Sequence, residues 1–271
     1  MVMSETEAVV EEQFSVGDSP ELSLGTVSGR VSIEPSSEPV IRVRARKHGR
    51  ASAVENTAVE FSRDGDAVSV RTKSVARKIL GGDTVCSIDF DVQVPRGCVL
   101  RIDAVSADVA VRGIGGAVDA HTVSGRVDLD NASESISVRT VSGRITAHGL
   151  NGVLRLNTVS GDALITDSSL SEFEVESVSG ALQLETSLSA TGRYRARTVS
   201  GGIEVRIPHD IGVTVHLTSV SGRIRSELPS SIEKVGFGNW HATISGGGSE
   251  LRLNSVSGNV TIAQIGALVP A

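Results

Sequence analysis

The sequence predicts an all-β protein, a single-chain parallel β-solenoid with coils of about 18–21 residues, and three observations predict it. A Val-Ser-Gly step recurs with its valine at 27, 123, 141, 159, 178, 199, 220 and 256, and Val105-Ser106-Ala107 is a ninth, altered copy. The apolar residues around each step recur at every second position, the period of a strand and not of a helix. With five Phe, one Trp and one Tyr in 271 residues, the core must be layered from aliphatic and β-branched side chains, which suit strands.

The elements follow in chain order. Residues 1–20 read as an N-terminal extension with a capping strand, and 21–100 as irregular β-rich coils or a flanking cap. Leu22, Leu24, Val27, Val31 and Ile33 fit the template once, and strand-like alternations then appear at 40–46, 58–62, 67–71 and 85–94. From Val105 the valines are spaced by 18, 18, 18, 19, 21, 21 and 36 residues, so 101–263 form the regular solenoid. The last interval is long enough for about two turns. Residues 228–250, with Pro229 and Gly246-Gly247-Gly248, break the pattern and are expected to form a loop or irregular coil. A short apolar tail, 264–271, ends the chain.

Within each unit the residues five and three before the valine are apolar, as at Ile136 and Val138 or Leu154 and Leu156. Thr or Ser precedes the valine, and apolar residues return four and six after it, as at Ile203 and Val205. Each unit is therefore strand, corner, strand. Stacked in parallel at about 4.8 Å, equivalent residues become ladders of Val, Ser and Thr, with apolar ladders filling the interior. The parity of the apolar positions flips across the corner, a phase break that glycine's backbone freedom accommodates. The expected corner glycines are Gly29, Gly125, Gly143, Gly161, Gly180, Gly201, Gly222 and Gly258, and Ala107 is tolerated only if its corner is reshaped. An antiparallel barrel or sandwich is the rival architecture, less attractive because identical strings at constant spacing gain most from in-register stacking.

A leading β-rich segment, the Val94-Pro95-Arg96-Gly97 step and the serial Thr-Val-Ser-Gly units resemble a bacterial family of adhesin-type, β-strand repeat-containing proteins, from about Phe14 to Ala263. The resemblance implies a β-solenoid, envelope-associated or adhesive roles in some members, and no catalytic residues to carry over.

A net charge of −6 disfavours nucleic acid and anionic membrane surfaces as partners. No apolar run reaches the roughly 18 residues of a membrane helix, and the acidic N-terminus lacks the basic-then-apolar order of a signal peptide. A cytoplasmic location is therefore expected, with any envelope contact made through a partner. Cys86 and Cys98 share parity with core positions and read as buried free thiols, a disulfide being the alternative.

The densest basic cluster is Arg42, Arg44, Arg46, Lys47, His48 and Arg50, with Arg71, Lys73, Arg77 and Lys78 as a potential extension. It is a candidate patch for an anionic partner, though a solvated strand face is the preferred reading. The residue after each corner glycine is Arg in some copies and Asp in others, as at Arg126, Arg144 and Asp162, which reads as a charged, solvated surface that aids solubility and not as a binding column. Histidines 48, 121, 148, 209, 216 and 241 lack metal-ligand spacing, so no metal or other cofactor is expected. Asp128 and Asp130 share an outward face, but one i, i+2 pair is weak evidence for a glycosidase. Gly113-Ile114-Gly115-Gly116 precedes a strand, which removes the phosphate-cradle reading. The sequence reads as a non-enzymatic scaffold or adhesin-like interaction module, with a protein partner or self-association. A carbohydrate-binding or carbohydrate-active β-helix is the alternative, and ice binding through the threonine column is disfavoured because the threonines share parity with the core.

Overall fold

Alternating burial of apolar side chains makes almost every segment a strand. The computed structural model describes residues 5–74, 86–208, 210–228, 231–236 and 238–265. The chain packs as two compact units, Met1–Ala132 and Ser133–Ala271.

The first unit contains β1 (Glu5–Ser15), β2 (Glu21–Ser36), β3 (Val40–Arg50), the short helix α1 (Ala51–Glu55), β4 (Thr57–Asp64) and β5 (Ala67–Ser74). It continues with β6 (Ser87–Pro95), β7 (Val99–Arg112), β8 (Val118–Thr122) and β9 (Val127–Asp130). Here β2 lies parallel to β7 with Leu22 opposite Leu100 and Ile33 opposite Val111. On its other side β2 lies parallel to β5, Leu22 opposite Val68, and to β6, Val31 opposite Phe90. The first Val-Ser-Gly coil is thus packed between two coils that follow it in sequence. Antiparallel strands flank it: β4 on β5, β3 on β6 and β1 on β3. Parallel coils and antiparallel flanking strands are therefore both present in this unit.

The second unit begins with β10 (Ser135–Thr140), β11 (Ile145–His148), β12 (Asn151–Thr158), β13 (Ala163–Ser177), β14 (Leu182–Leu188), β15 (Arg193–Thr198) and β16 (Ile203–Ile207). It ends with β17 (Val213–Ser219), β18 (Ile224–Ser226), β19 (Ser231–Gly236), β20 (Asn239–Ile244), β21 (Ser249–Ser255) and β22 (Val260–Gln264). Before the corner, Ile136, Leu154, Phe173, Tyr194, Leu251 and Val215 form one parallel ladder. After it, Ile145, Ala163, Leu182, Ile203 and Val260 form another. All of these side chains are buried.

Two expectations are corrected in this unit. The 36-residue interval does not hold two successive turns, because β21 is inserted between β15 and β17 and β22 between β16 and β18. The segment expected to be an irregular loop is a β-hairpin, β19 antiparallel to β20, and β20 pairs antiparallel with the edge of β17. That hairpin covers a strand edge that would otherwise present unpaired backbone groups.

The corner glycines are explained by close approach more than by backbone angle. Among them only Gly29 has a positive φ, +117°. A Cβ on Gly161 would lie 2.0 Å from the Gly143 carbonyl oxygen, on Gly201 1.8 Å from that of Gly180, and on Gly258 1.7 Å from that of Gly201. No side chain fits under the carbonyl of the preceding rung. At Ala107 the corner is indeed reshaped: β7 runs through it as continuous strand, Ala107 opposite Gly29. The Thr or Ser before the valine is buried, and its hydroxyl accepts the N–H of the corner glycine at Thr158 and Gly161, Thr198 and Gly201, Ser219 and Gly222, and Ser255 and Gly258, at 2.8 to 3.0 Å.

Candidate functional site

The burial of Thr at one position forces the next residue outward, because successive side chains on a strand point to opposite faces. The expectation that the valine ladder fills the interior is therefore overturned. All nine valines of the motif face solvent, from 38 % exposed at Val27 to 72 % at Val220. In the second unit Val141, Val159, Val178, Val199, Val256 and Val220 stand on successive rungs. Each rung is tied to the next by a serine N–H donating to a valine carbonyl, as from Ser160 to Val141 at 2.8 Å and from Ser257 to Val199 at 2.9 Å. Val220 ends the column and is the most exposed.

Beside this column lie the outward residues two and four positions earlier. Their central rungs carry opposite charge. Glu174 and Glu176 of β13 face Arg195 and Arg197 of β15 in register, at 3.7 and 3.6 Å, and Glu172 precedes them as Arg193 does on the next rung. Tyr194 and Phe173 stack beneath with ring centroids 5.1 Å apart. The Tyr194 hydroxyl donates to the Leu170 carbonyl at 2.9 Å and accepts the Ser189 N–H at 2.5 Å, and burial raises its pKa.

Arg42, Arg44 and Arg46 of the basic cluster lie on the outer face of β3, where β1 and β6 supply acidic and amide neighbours. Arg42 pairs with Glu38 and donates to Gln13 at 3.1 Å, Arg44 pairs with Glu11 at 3.1 Å, and Arg46 with Asp91 at 3.1 Å. Lys47 donates to the carbonyls of Val54 and Thr57 at 3.2 and 3.0 Å, and Arg50 stands at the strand end opposite Glu5. An open groove of about 790 Å³ runs across this face, lined by Arg42 and Arg44 but also by Glu11, Glu12, Glu34 and Asp91. Lys73 pairs with Glu60 at 3.0 Å, while Arg77 and Lys78 fall outside the described residues.

Sequence spacing missed one pairing. The antiparallel β17–β20 contact brings His216 and His241 edge to face, ring centroids 4.7 Å apart, with Glu250 at 3.6 Å from His216. Burial and the neighbouring His241 lower the His216 pKa, and a hydrogen bond from Arg252 lowers that of Glu250. Elsewhere His121 contacts Asp119 and Asp103, and His148 contacts Asp167. His209 falls outside the described residues, among which no group of three His, Cys, Asp or Glu is placed to hold a metal ion. Asp128 and Asp130 point outward from β9, and within this unit their rung neighbours on β7 are Ala110 and Arg112. Cys86 and Cys98 are buried free thiols, and burial pushes the Cys98 pKa up to about 12. No helix among the described residues is long and apolar enough to cross a membrane.

The model of the Toastrack DUF4097 family matches residues 20–263. The chain belongs to that family. A candidate adhesin from Bacteroides fragilis has a similar structure, with a TM-score of 0.52 at 9 % identity over 95 % of this chain and 97 % of its own. A candidate adhesin from Parabacteroides distasonis aligns with a TM-score of 0.44 at 10 % identity, over 95 % of this chain and 97 % of its own. A candidate cell adhesion protein from Clostridium sporogenes aligns with a TM-score of 0.29 at 11 % identity, over 96 % of this chain and 100 % of its own. At these identities the Bacteroides likeness supports the all-β, solenoid-like Toastrack fold. No curated protein matches the sequence.

Proposed function

We propose that this Toastrack chain is a non-enzymatic, adhesin-like interaction scaffold whose contact surface is the outer face carrying the valine column. The observation that supports this most strongly is the exposure of the motif valine in all nine copies. A lone exposed valine needs no explanation, but a contiguous apolar stripe on a soluble surface marks an interaction site. The valine side chain adds nothing to the core, and a polar residue there would satisfy the corner equally well, since the backbone carbonyl is what bonds to the next rung. The structural neighbours described as candidate adhesins are consistent with the same reading. In this reading the parallel coils form a rigid support, and the carbohydrate-active alternative, centred on Asp128, is the competitor.

The test is capture of envelope components from the native organism by the immobilised chain, against a Val178→Asp/Val199→Asp variant of equal melting temperature. The reading expects specific capture by the wild type that the variant loses. Polysaccharide turnover by the wild type that disappears in Asp128→Asn would replace it with the enzymatic reading.

A further inference from the structure

We infer that the occupant of this face in the second unit is a second copy of the same chain, packed antiparallel across a two-fold axis between the rungs of Val178 and Val199. The inference rests on reading the face as a contact surface and names its partner.

Between the second rung and the fifth, counted from Val141, the outward residues are Arg155 and Asn157, then Glu172, Glu174 and Glu176, then Arg193, Arg195 and Arg197, then Glu250, Arg252 and Asn254. Glu174 and Glu176 on one rung lie in register with Arg195 and Arg197 on the next, and Glu172 and Arg193 precede them. A two-fold axis lying in the face, across the ladder and between these rungs, sets each copy's glutamate rung over its partner's arginine rung. The same operation sets valine column on valine column, Val178 over Val199 and Val159 over Val256. An interface of this kind is self-complementary by construction.

Moving the axis by half a rung places like charges in opposition, glutamate rung on glutamate rung or arginine rung on arginine rung. The charge order therefore fixes one register. Arg155 would then oppose Arg252, and each has a carboxylate of its own, Glu172 at 3.9 Å and Glu250 at 2.5 Å. The outermost rungs are mixed: Ser137 and Arg139 lie opposite His216 and Thr218. Shape supports the same occupant. A second copy repeats its valines at the same spacing of about 4.8 Å, so each valine of the column meets a valine of the partner along its whole length. The existing ion pairs do not account for the charge order by themselves, since exposed pairs at this separation contribute little to stability.

Six rungs by the three outward columns cover roughly 600 Å² per partner from strand and rung spacings. That is below the roughly 800 Å² of a standard interface, so the dimer is reversible and weak.

Sedimentation equilibrium of the full chain tests this. The wild type is expected to rise from 28.2 kDa toward twice that mass as concentration increases, and added salt is expected to reverse the rise. Glu174→Arg/Glu176→Arg and Arg195→Glu/Arg197→Glu are each expected to weaken self-association at least about tenfold. Mixed together, the two variants are expected to recover a heterodimer, because each then offers the charges the other needs. Val178→Asp/Val199→Asp, whose sites are exposed, keeps its melting temperature and remains monomeric. A wild type that stays monomeric at every concentration, or a dimer undiminished in the valine variant, overturns the inference. So does a mixture of the charge variants that remains monomeric while both stay folded. If the wild type is monomeric but the valine variant still loses envelope capture, the contact-surface reading stands and the second copy falls.

Discussion

From Ser135 to Ile207 the coils stack in the order in which the chain makes them, whereas from Val213 to Gln264 the chain makes the outer coil first and then returns to fill the rung inside it. Both regions use the same unit. The difference teaches that the motif sets the register of a rung but leaves its order to the capping segment. β19 and β20 cannot continue the template, so they form a hairpin whose β20 pairs antiparallel with the free edge of β17. The rung left for Ser249–Gln264 is the one between β15 and β17. The first unit has a similar order, its first coil lying between two later ones.

The largest expected effect breaks this comparison if it fails. Gly258 in the inserted coil and Gly161 in a sequential coil both lie against the carbonyl of the rung beneath. Replacing either with Val is expected to cost about 3 kcal/mol or more in denaturant unfolding. A mild effect at Gly258 beside a severe one at Gly161 would mean that Gly258 does not lie beneath the Gly201 carbonyl. A smaller effect falls on β15, where the order changes. Tyr194→Phe leaves the Ser189 N–H and the Leu170 carbonyl without their hydroxyl partner and is expected to cost about 1.5 kcal/mol by the same measurement.

Alkaline pH sharpens the comparison from the first unit. Cys98 is expected to resist thiol reagents in the folded chain, since burial pushes its pKa up to about 12, well above that of a free thiol. A raised folded pKa contributes stability that is fully present below about pH 9 and is lost as pH rises toward 12. Cys98→Ala should make the fall in melting temperature over that window shallower, and an unchanged slope would show that Cys98 does not contribute to it. The smallest effect belongs to the column itself: Val159→Thr should change stability by less than about 0.5 kcal/mol, because the side chain already faces water.

Much of the fold was legible because each rung's apolar residues sit at fixed distances from Val-Ser-Gly. The parallel partners Leu154 and Phe173, or Ile145 and Ala163, follow from that alignment. The insertion was not legible, since Val256 fits the template equally well on either side of Val220. The hairpin at 231–244 was obscured by its glycines, and the His216–His241 contact depends on that hairpin. The valine column was within reach, because the parity that buries Thr158 also exposes Val159, but an apolar ladder invites assignment to the core. The requirement for glycine at the corner was visible as a repeated letter, while its cause, the carbonyl of the neighbouring rung, is a contact between residues 18 or more positions apart.

The most direct test of the inserted rung is disulfide trapping between outward valines. Val199 and Val256 stand on adjacent rungs, where parallel strands about 4.8 Å apart suit a disulfide, whereas Val199 and Val220 stand two rungs apart, near 10 Å and out of reach. Mild oxidation should close Val199→Cys/Val256→Cys within one chain and leave Val199→Cys/Val220→Cys open. Closure of the second pair with the first remaining open would contradict the stacking order.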